Sequence, residues 1–189
     1  MDEKLMVQKL KSILDPSRFK HSLRVRDMVA KLASLYRVDR KASSIAGLLH
    51  DSSRFLHGKG FVRLAKKTGI KIDPITLLEP KLLHAPLSAY IARTKFGVKD
   101  ERILKAIGSH TLGRPGMSTM EKIIYVADHI EEGRTHAGAK KARRLAFKAL
   151  NKAIVSISST MISYLIGKGL PVHPGTYEVR NYYLLNKDE

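Results

Sequence analysis

A chain of 189 residues with 43% apolar side chains can bury one good core and is short for two domains. It has no cysteine, which excludes disulfides, iron–sulfur clusters and thiolate zinc sites, so any metal must be held by His, Asp or Glu. Lysine and arginine number 35 against 17 aspartates and glutamates, a formal charge of +18. This suits polyanions such as nucleic acid, nucleotide polyphosphates or anionic lipid, although a solvated basic surface accounts for the charge equally well.

Nearly every segment reads helical, with no convincing period-2 strand and no internal repeat. Met1-Asp2-Glu3-Lys4 lacks the basic-then-apolar order of a signal peptide. Lys4 to Leu14 reads as a short amphipathic helix. Asp15-Pro16 looks like an N-cap followed by proline in the first helical position, opening a helix to about Tyr36 with Arg18 and His21 three apart near its start. Asp39 caps a third helix whose apolar run ends in Gly47-Leu48-Leu49-His50-Asp51. Between Ser52 and Lys81 the pattern predicts two brief helices, one around Phe61 to Lys67 and one from Asp73-Pro74. Pro86 opens a helix to about Phe96, capped by Gly97, with His84 just before it.

Asp100 starts the helix that leads to His110. A turn-rich loop, Thr111 to Met117, follows, and Ser118 with Glu121 forms a capping box for a helix carrying Asp128 among apolar residues. A last long helix is expected over about Ala139 to Ile166, then an extended stretch from Gly169 to Gly175 and a short helix from Tyr177 to Leu185. The stretch Ala153 to Ile166 is interrupted by serines and falls short of the roughly 20 apolar residues a membrane span needs. The expectation is an all-α, cytoplasmic, single-domain helical bundle over 1–189, with a core at about 18–134 and C-terminal helices at 139–185 packed on it.

The histidines carry the chemistry. Neutral imidazole and carboxylate are ligands for Fe, Mn or Zn, and no other set in the chain accounts for as many of its histidines as the order His21, His50-Asp51, His84, His110, Asp128. Singly, each is better read as a satisfied polar residue; the set is what points to a metal. An aspartate buried in an apolar helix, as at Asp128, needs a partner or a cation. With Asp51 as a bridge, His21, His50, Asp51 and Asp128 would hold one metal, and Asp51, His84 and His110 a second. Such a pair, roughly 3.5–4 Å apart, clamps a phosphoryl group and acidifies water. Arg18, Arg54, Arg114 and Arg134 are the candidates to neutralise phosphate oxygens. His129 should point away from the set, and His57 and His136 read as solvated.

His21, Leu48-Leu49-His50-Asp51 and Asp128 resemble the HD phosphohydrolase superfamily, which is all-α and metal-dependent. Arg18-Phe19-Lys20-His21-Ser22, Leu83-His84-Ala85-Pro86-Leu87-Ser88-Ala89-Tyr90 and Ser109-His110-Thr111 are similar to the YqeK-type symmetrical diadenosine tetraphosphate hydrolases. So are Gly113 to Ser118, Glu121 to Asp128 and Ile130-Glu131-Glu132-Gly133-Arg134. The resemblance implies hydrolysis of diadenosine tetraphosphate to two ADP, with iron as the divalent metal and manganese as an alternative. It implies His21, His50, Asp51 and Asp128 as iron ligands, with His84 and His110 facing a second metal or the polyphosphate, and Asp51, His84 and His110 as the catalytic groups. Nucleotide and phosphate contacts fall to Arg18, His21, Arg54, His84, His110, Arg134 and the stretch Gly169-Leu170-Pro171-Val172-His173-Pro174. Arg54, Leu112 and Glu132 depart from that family's usual lysine, hydroxyl residue and proline.

Two other readings compete. A basic RNA- or ribosome-associated protein with a vestigial metal site would explain the charge and the run Lys140-Lys141-Ala142-Arg143-Arg144, but 6% aromatic residues give no stacking pattern in sequence. A di-iron oxygenase of the same ligand set is disfavoured by the arginines. Apolar positions on the long final helix leave a homodimer open.

Overall fold

The computed structural model describes residues 2–186. The single-domain expectation also takes in Met1 and residues 187–189, which lie outside the described residues. The helices are α1 (Glu3–Ile13), α2 (Pro16–Leu35), α3 (Arg40–Leu49), α4 (Lys59–Thr68), α5 (Pro74–Leu78), α6 (His84–Phe96), α7 (Glu101–Ser109), α8 (Thr119–Ile130), α9 (Ala137–Ala146), α10 (Leu150–Gly167) and α11 (Pro174–Leu185), with a 3-10 turn at Pro80–Leu83. No strand occurs among the described residues. The all-α expectation holds.

Capping chemistry sets most of the starts. Asp15, Asp39, Asp73 and Asp100 each accept a backbone N–H in the first turn of α2, α3, α5 and α7. Ser118 and Glu121 make the reciprocal capping box of α8. One core cluster of buried side chains, from Met6 on α1 to Tyr183 on α11, runs through the bundle, and within it α2, α3, α7 and α8 pack on one another. Phe61 and Ala65 of α4 form a smaller cluster with Leu83 and Leu87. At Gly47 a Cβ would come within 3.0 Å of the Val29 side chain and 3.2 Å of the Arg26 backbone, so glycine lets α3 lie against α2 at a spacing where a larger residue would push the two apart by a few tenths of an ångström.

Three boundaries differ from expectation. The long helix expected over Ala139 to Ile166 is two helices, broken at Phe147–Ala149. The Tyr36 hydroxyl donates to the Ala146 carbonyl (2.7 Å), the N–H groups of Lys148 and Ala149 both turn back to the Leu145 carbonyl, and Ala149 is extended. His84 does not precede α6 but begins it, because the 3-10 turn runs straight on; Pro86 then sits in the first turn, where a missing N–H costs little. The extended stretch stops at His173, whose Nδ1 caps α11 by accepting from Gly175 N–H, with Pro174 in the first helical position.

Candidate metal centre

Five helices deliver the six predicted residues to one point. His21 lies in the second turn of α2, His50 is the residue that ends α3, and Asp51 follows it into a tight turn. His84 begins α6 and His110 ends α7, while Asp128 lies near the end of α8. Serine hydrogen bonds register α6 against the turn after Asp51: Ser53 N–H donates to Ser88 Oγ (3.0 Å) and Ser53 Oγ donates to the His84 carbonyl (2.9 Å). His84 is thereby fixed relative to Asp51. Four of the six are buried, with His50 and His110 fully enclosed and Asp51 2% exposed, while His84 and Asp128 are partly open to solvent.

The hydrogen bonds decide which ring nitrogen faces inward. His50 Nδ1 lies 2.7 Å from the Gly47 carbonyl, His110 Nδ1 lies 2.7 Å from the Ile107 carbonyl, and His84 Nδ1 bonds the Lys81 carbonyl. A carbonyl can only accept, so each Nδ1 carries the hydrogen and each Nε2 presents a lone pair. The Nε2 atoms of His84 and His110 face one another at 3.0 Å, and Thr111 Oγ1 lies 2.9 Å and 3.3 Å from them. Asp51 stands between the two halves. Its Oδ2 is 3.6 Å from His50 Nε2 and 3.8 Å from His21 Nε2, and its Oδ1 is 3.5 Å from His84 Nε2 and 4.0 Å from His110 Nε2. Asp128 Oδ1 is 3.0 Å from His21 Nε2 and 3.8 Å from His50 Nε2.

The protonation states follow from this packing. Burial pushes His84 and His110 down to about 4, reinforced by each one's imidazole neighbour. Burial also lowers His50. Burial alone would raise Asp51 and Asp128, but imidazoles outweigh it: His50 and His84 hold Asp51 below the ordinary carboxylate range, and the hydrogen bond from His21 with the charge of His50 does the same for Asp128. The neutral imidazoles of His50, His84 and His110, the ring of His21 and the ionised carboxylates converge on one small space, a donor set that suits a divalent cation of the first transition row. Ligand atoms within 4.8 Å of one another come from His21, His50 and Asp51; from His50, His110 and Asp128; and from Asp51, His84 and His110. Lone pairs that would otherwise repel are what a cation holds together, so the residues fit the metal.

The comparisons agree with this geometry. The HD domain family matches residues 18–133. The chain belongs to the HD domain family. The HD chain is 36% identical over 181 residues to a Halalkalibacterium halodurans protein named symmetrical bis(5'-nucleosyl)-tetraphosphatase, covering 96% of each. It is 38% identical over 176 residues to a Bacillus subtilis protein of the same name, covering 92% of each. It is also similar to a crystal structure from Clostridium acetobutylicum described as a predicted HD superfamily hydrolase involved in NAD metabolism, with a TM-score of 0.95, 36% identity and 99% of each chain covered.

The other predicted residues of this HD chain divide. Arg18 Nη1 pairs with Asp51 Oδ2 at 2.8 Å, and Arg134 reaches Asp128 Oδ1 at 3.4 Å, so both edge the cluster. Arg54 is close enough for its charge to depress His84. Arg114 is otherwise engaged, binding Glu121 through two hydrogen bonds of 2.7 Å, and is not available to phosphate. Of the stretch Gly169 to Pro174, His173 lines a cavity of about 350 Å3 that Thr111 also lines, and its Nε2 faces Asp73 at 3.2 Å; Leu170 is exposed. His129 turns back to the Tyr125 carbonyl, His57 is exposed, and His136, expected to be merely solvated, caps α9.

Sequence reasoning missed Glu131 and Thr111. Glu131 is buried and accepts from His21 Nδ1 (3.2 Å), Arg24 Nε (2.5 Å) and Gly133 N–H (2.5 Å). Glu131 stands three residues after Asp128 at the end of α8, within the family-like run Ile130 to Arg134, but the adjacent exposed Glu132 obscures it in sequence.

Proposed function

We propose that this HD domain is a metal-dependent hydrolase that cleaves diadenosine tetraphosphate symmetrically into two ADP. The observation that carries the reading is Asp51, one carboxylate oxygen facing His21 and His50 and the other facing His84 and His110, with Arg18 at its side. His21, His50, Asp51 and Asp128 would hold the metal, and Asp51, His84 and His110 a second ion. A divalent metal held there supplies Lewis acidity toward phosphoryl oxygen and a water that ionises near neutral pH. Arg18, Arg54 and Arg134 bind the anionic tetraphosphate and orient it. Water attacks one of the two central phosphorus atoms, and the oxygen bridging them leaves with the second ADP. His84 and His110, neutral at pH 7, keep their Nε2 lone pairs available for ligation or for a proton, and the Thr111 hydroxyl between them orients a polar atom of the substrate. His173 belongs to the nucleotide side through the cavity it shares with Thr111, and we assign the stretch before it to the same side from the family resemblance.

Iron is the metal we favour, from the family resemblance. No helix among the described residues is long and apolar enough to cross a membrane, in line with the cytoplasmic placement we propose. Exposed Met161, Tyr164 and Ile166 on α10 support self-association as a homodimer. The RNA-binding alternative loses part of its basis, because Arg143 is spent on the carbonyls of Ile130, Glu131 and Arg134.

Product analysis tests the reading: incubate anaerobically purified, metal-quantified protein with diadenosine tetraphosphate and separate the nucleotides. ADP as sole product, abolished in His50→Ala, is the expected result. AMP plus ATP would overturn the symmetrical cleavage, and no turnover with metal bound would overturn the substrate.

A further inference from the structure

Away from the metal centre, residues of α1, α4 and α6 and the turn before α4 enclose a depression of about 790 Å3. That lies within the roughly 300–1,000 Å3 of small-molecule sites. Its aliphatic floor includes Leu56 and Leu64, and two aromatic rings open onto it. Phe55 is 43% exposed and Tyr90 is 39% exposed, an apolar surface left facing solvent beside an otherwise packed core. Lys9, Arg63, Lys67 and Lys95 also line it, all four exposed, and no aspartate or glutamate does. Lys9 Nζ donates to the Lys95 carbonyl (2.7 Å) and sits over the Phe96 ring. Among the described residues, the side chains of Arg63, Lys67 and Lys95 have no ion-pair partner. These six residues lie at positions 9, 55, 63, 67, 90 and 95, so only the fold gathers them.

We propose that this groove is a second binding site, for a nucleoside polyphosphate, with the base against Phe55 and Tyr90 and the phosphates against Arg63, Lys67 and Lys95. Charge decides the sign of the ligand: four cations without a carboxylate select an anion. The aromatic pair decides its other half, because a bare anion would leave both rings in water while a nucleobase covers them by stacking. The site stands apart from the reading of the metal centre, and either can fail without the other. It is nonetheless connected to it, since Phe55 leaves the same turn as Asp51, and Tyr90 lies two residues from Ser88, which bonds Ser53.

The test is calorimetric titration of the metal-loaded full chain with ATP, alongside inorganic tripolyphosphate and a single-stranded oligonucleotide. One ATP binding event should persist in His50→Ala, weaken about tenfold in the double variant R63E/K67E, and weaken about tenfold in Y90A. R63E/K67E should keep the wild-type hydrolysis rate at saturating substrate, and tripolyphosphate should bind about tenfold more weakly than ATP. Loss of all ATP binding in His50→Ala, with R63E/K67E unchanged, would place every nucleotide at the metal centre and overturn the proposal. Equal affinity for tripolyphosphate would overturn the role of the rings. Binding of the oligonucleotide with no binding of ATP would make the groove a nucleic-acid surface and overturn the mononucleotide assignment.

Discussion

Glu131 accepts a hydrogen bond from Nδ1 of His21 across 3.2 Å, turning the Nε2 of that imidazole toward Asp51 and Asp128. A carboxylate behind a metal-binding histidine fixes its tautomer and raises its basicity, and losing such a partner costs roughly 10–100-fold in metal affinity. Glu131→Gln keeps the shape but removes the charge shared with Arg24. It should bind metal about tenfold more weakly while its helical circular dichroism stays at the wild-type level. Metal affinity equal to wild type would remove Glu131 from any part in orienting His21.

Much of the fold is legible because its starts are chemical. Asp15-Pro16, Asp39, Asp73-Pro74, Asp100 and the Ser118–Glu121 pair declare helix N-termini through their own side chains, and the structure uses each one. The break after Ala146 carries no glycine or proline. There the hydroxyl of Tyr36, 110 residues earlier, donates to the Ala146 carbonyl, and no local pattern encodes that contact. The centre divides the same way. The six histidine and aspartate ligand candidates are readable as a set, since nothing else accounts for so many buried ionisable groups. Glu131, Thr111 and the fate of Arg114 depend on three-dimensional neighbours: Arg114 looks like a phosphate ligand until Glu121, seven residues on, binds its guanidinium at two points.

Arg134 touches the cluster from its solvent side, with Nε near the Asp128 carbonyl (3.2 Å) and Nη2 near its carboxylate (3.4 Å). If it serves the polyphosphate, Arg134→Ala should raise KM about tenfold and change kcat much less, since a charge-assisted contact is worth about 1.5–3 kcal/mol. Steady-state kinetics with diadenosine tetraphosphate separates the two constants, and an unaltered KM takes Arg134 out of the site.

The metal-free protein should lose stability in acid through His84 and His110. Each has an ordinary value of 6.5 and is held down to about 4 by burial in the fold. Between those values the unfolded chain binds protons that the folded chain refuses, so stability is full above about 6.5 and falls as pH drops toward 4. Urea midpoints of the metal-stripped protein, taken from neutral pH down to about pH 4, should decline across that window. In the double variant His84→Gln, His110→Gln the decline should be shallower, and an identical slope would show that other groups are responsible.

Gly113 ties the loop after α7 to α11. It has φ +70°, and a Cβ there would lie 2.7 Å from Val179 Cγ2 and 3.3 Å from the Tyr125 ring. Gly113→Ala adds a left-handed penalty to an overlap within the core and should cost about 2 kcal/mol. Thermal melting should register a drop of several degrees, about 2–4 °C per kcal/mol for a chain of this size. A melting temperature equal to wild type would mean that α11 shifts to make room.

The aspartates that begin α2, α3, α5 and α7 have their carboxylates turned to backbone N–H groups, while Asp51, Asp128, Glu121 and Glu131 are folded against arginines and imidazoles. With 17 acidic residues against 35 lysines and arginines, the chain keeps a formal charge of +18 whichever way its carboxylates turn. The molecule therefore projects a positive field beyond its surface, with a reach of about 8 Å at physiological ionic strength. A tetraphosphate drifting past is drawn inward before any side chain of the centre meets it, so arrival is governed by salt while the chemistry inside is sheltered from it.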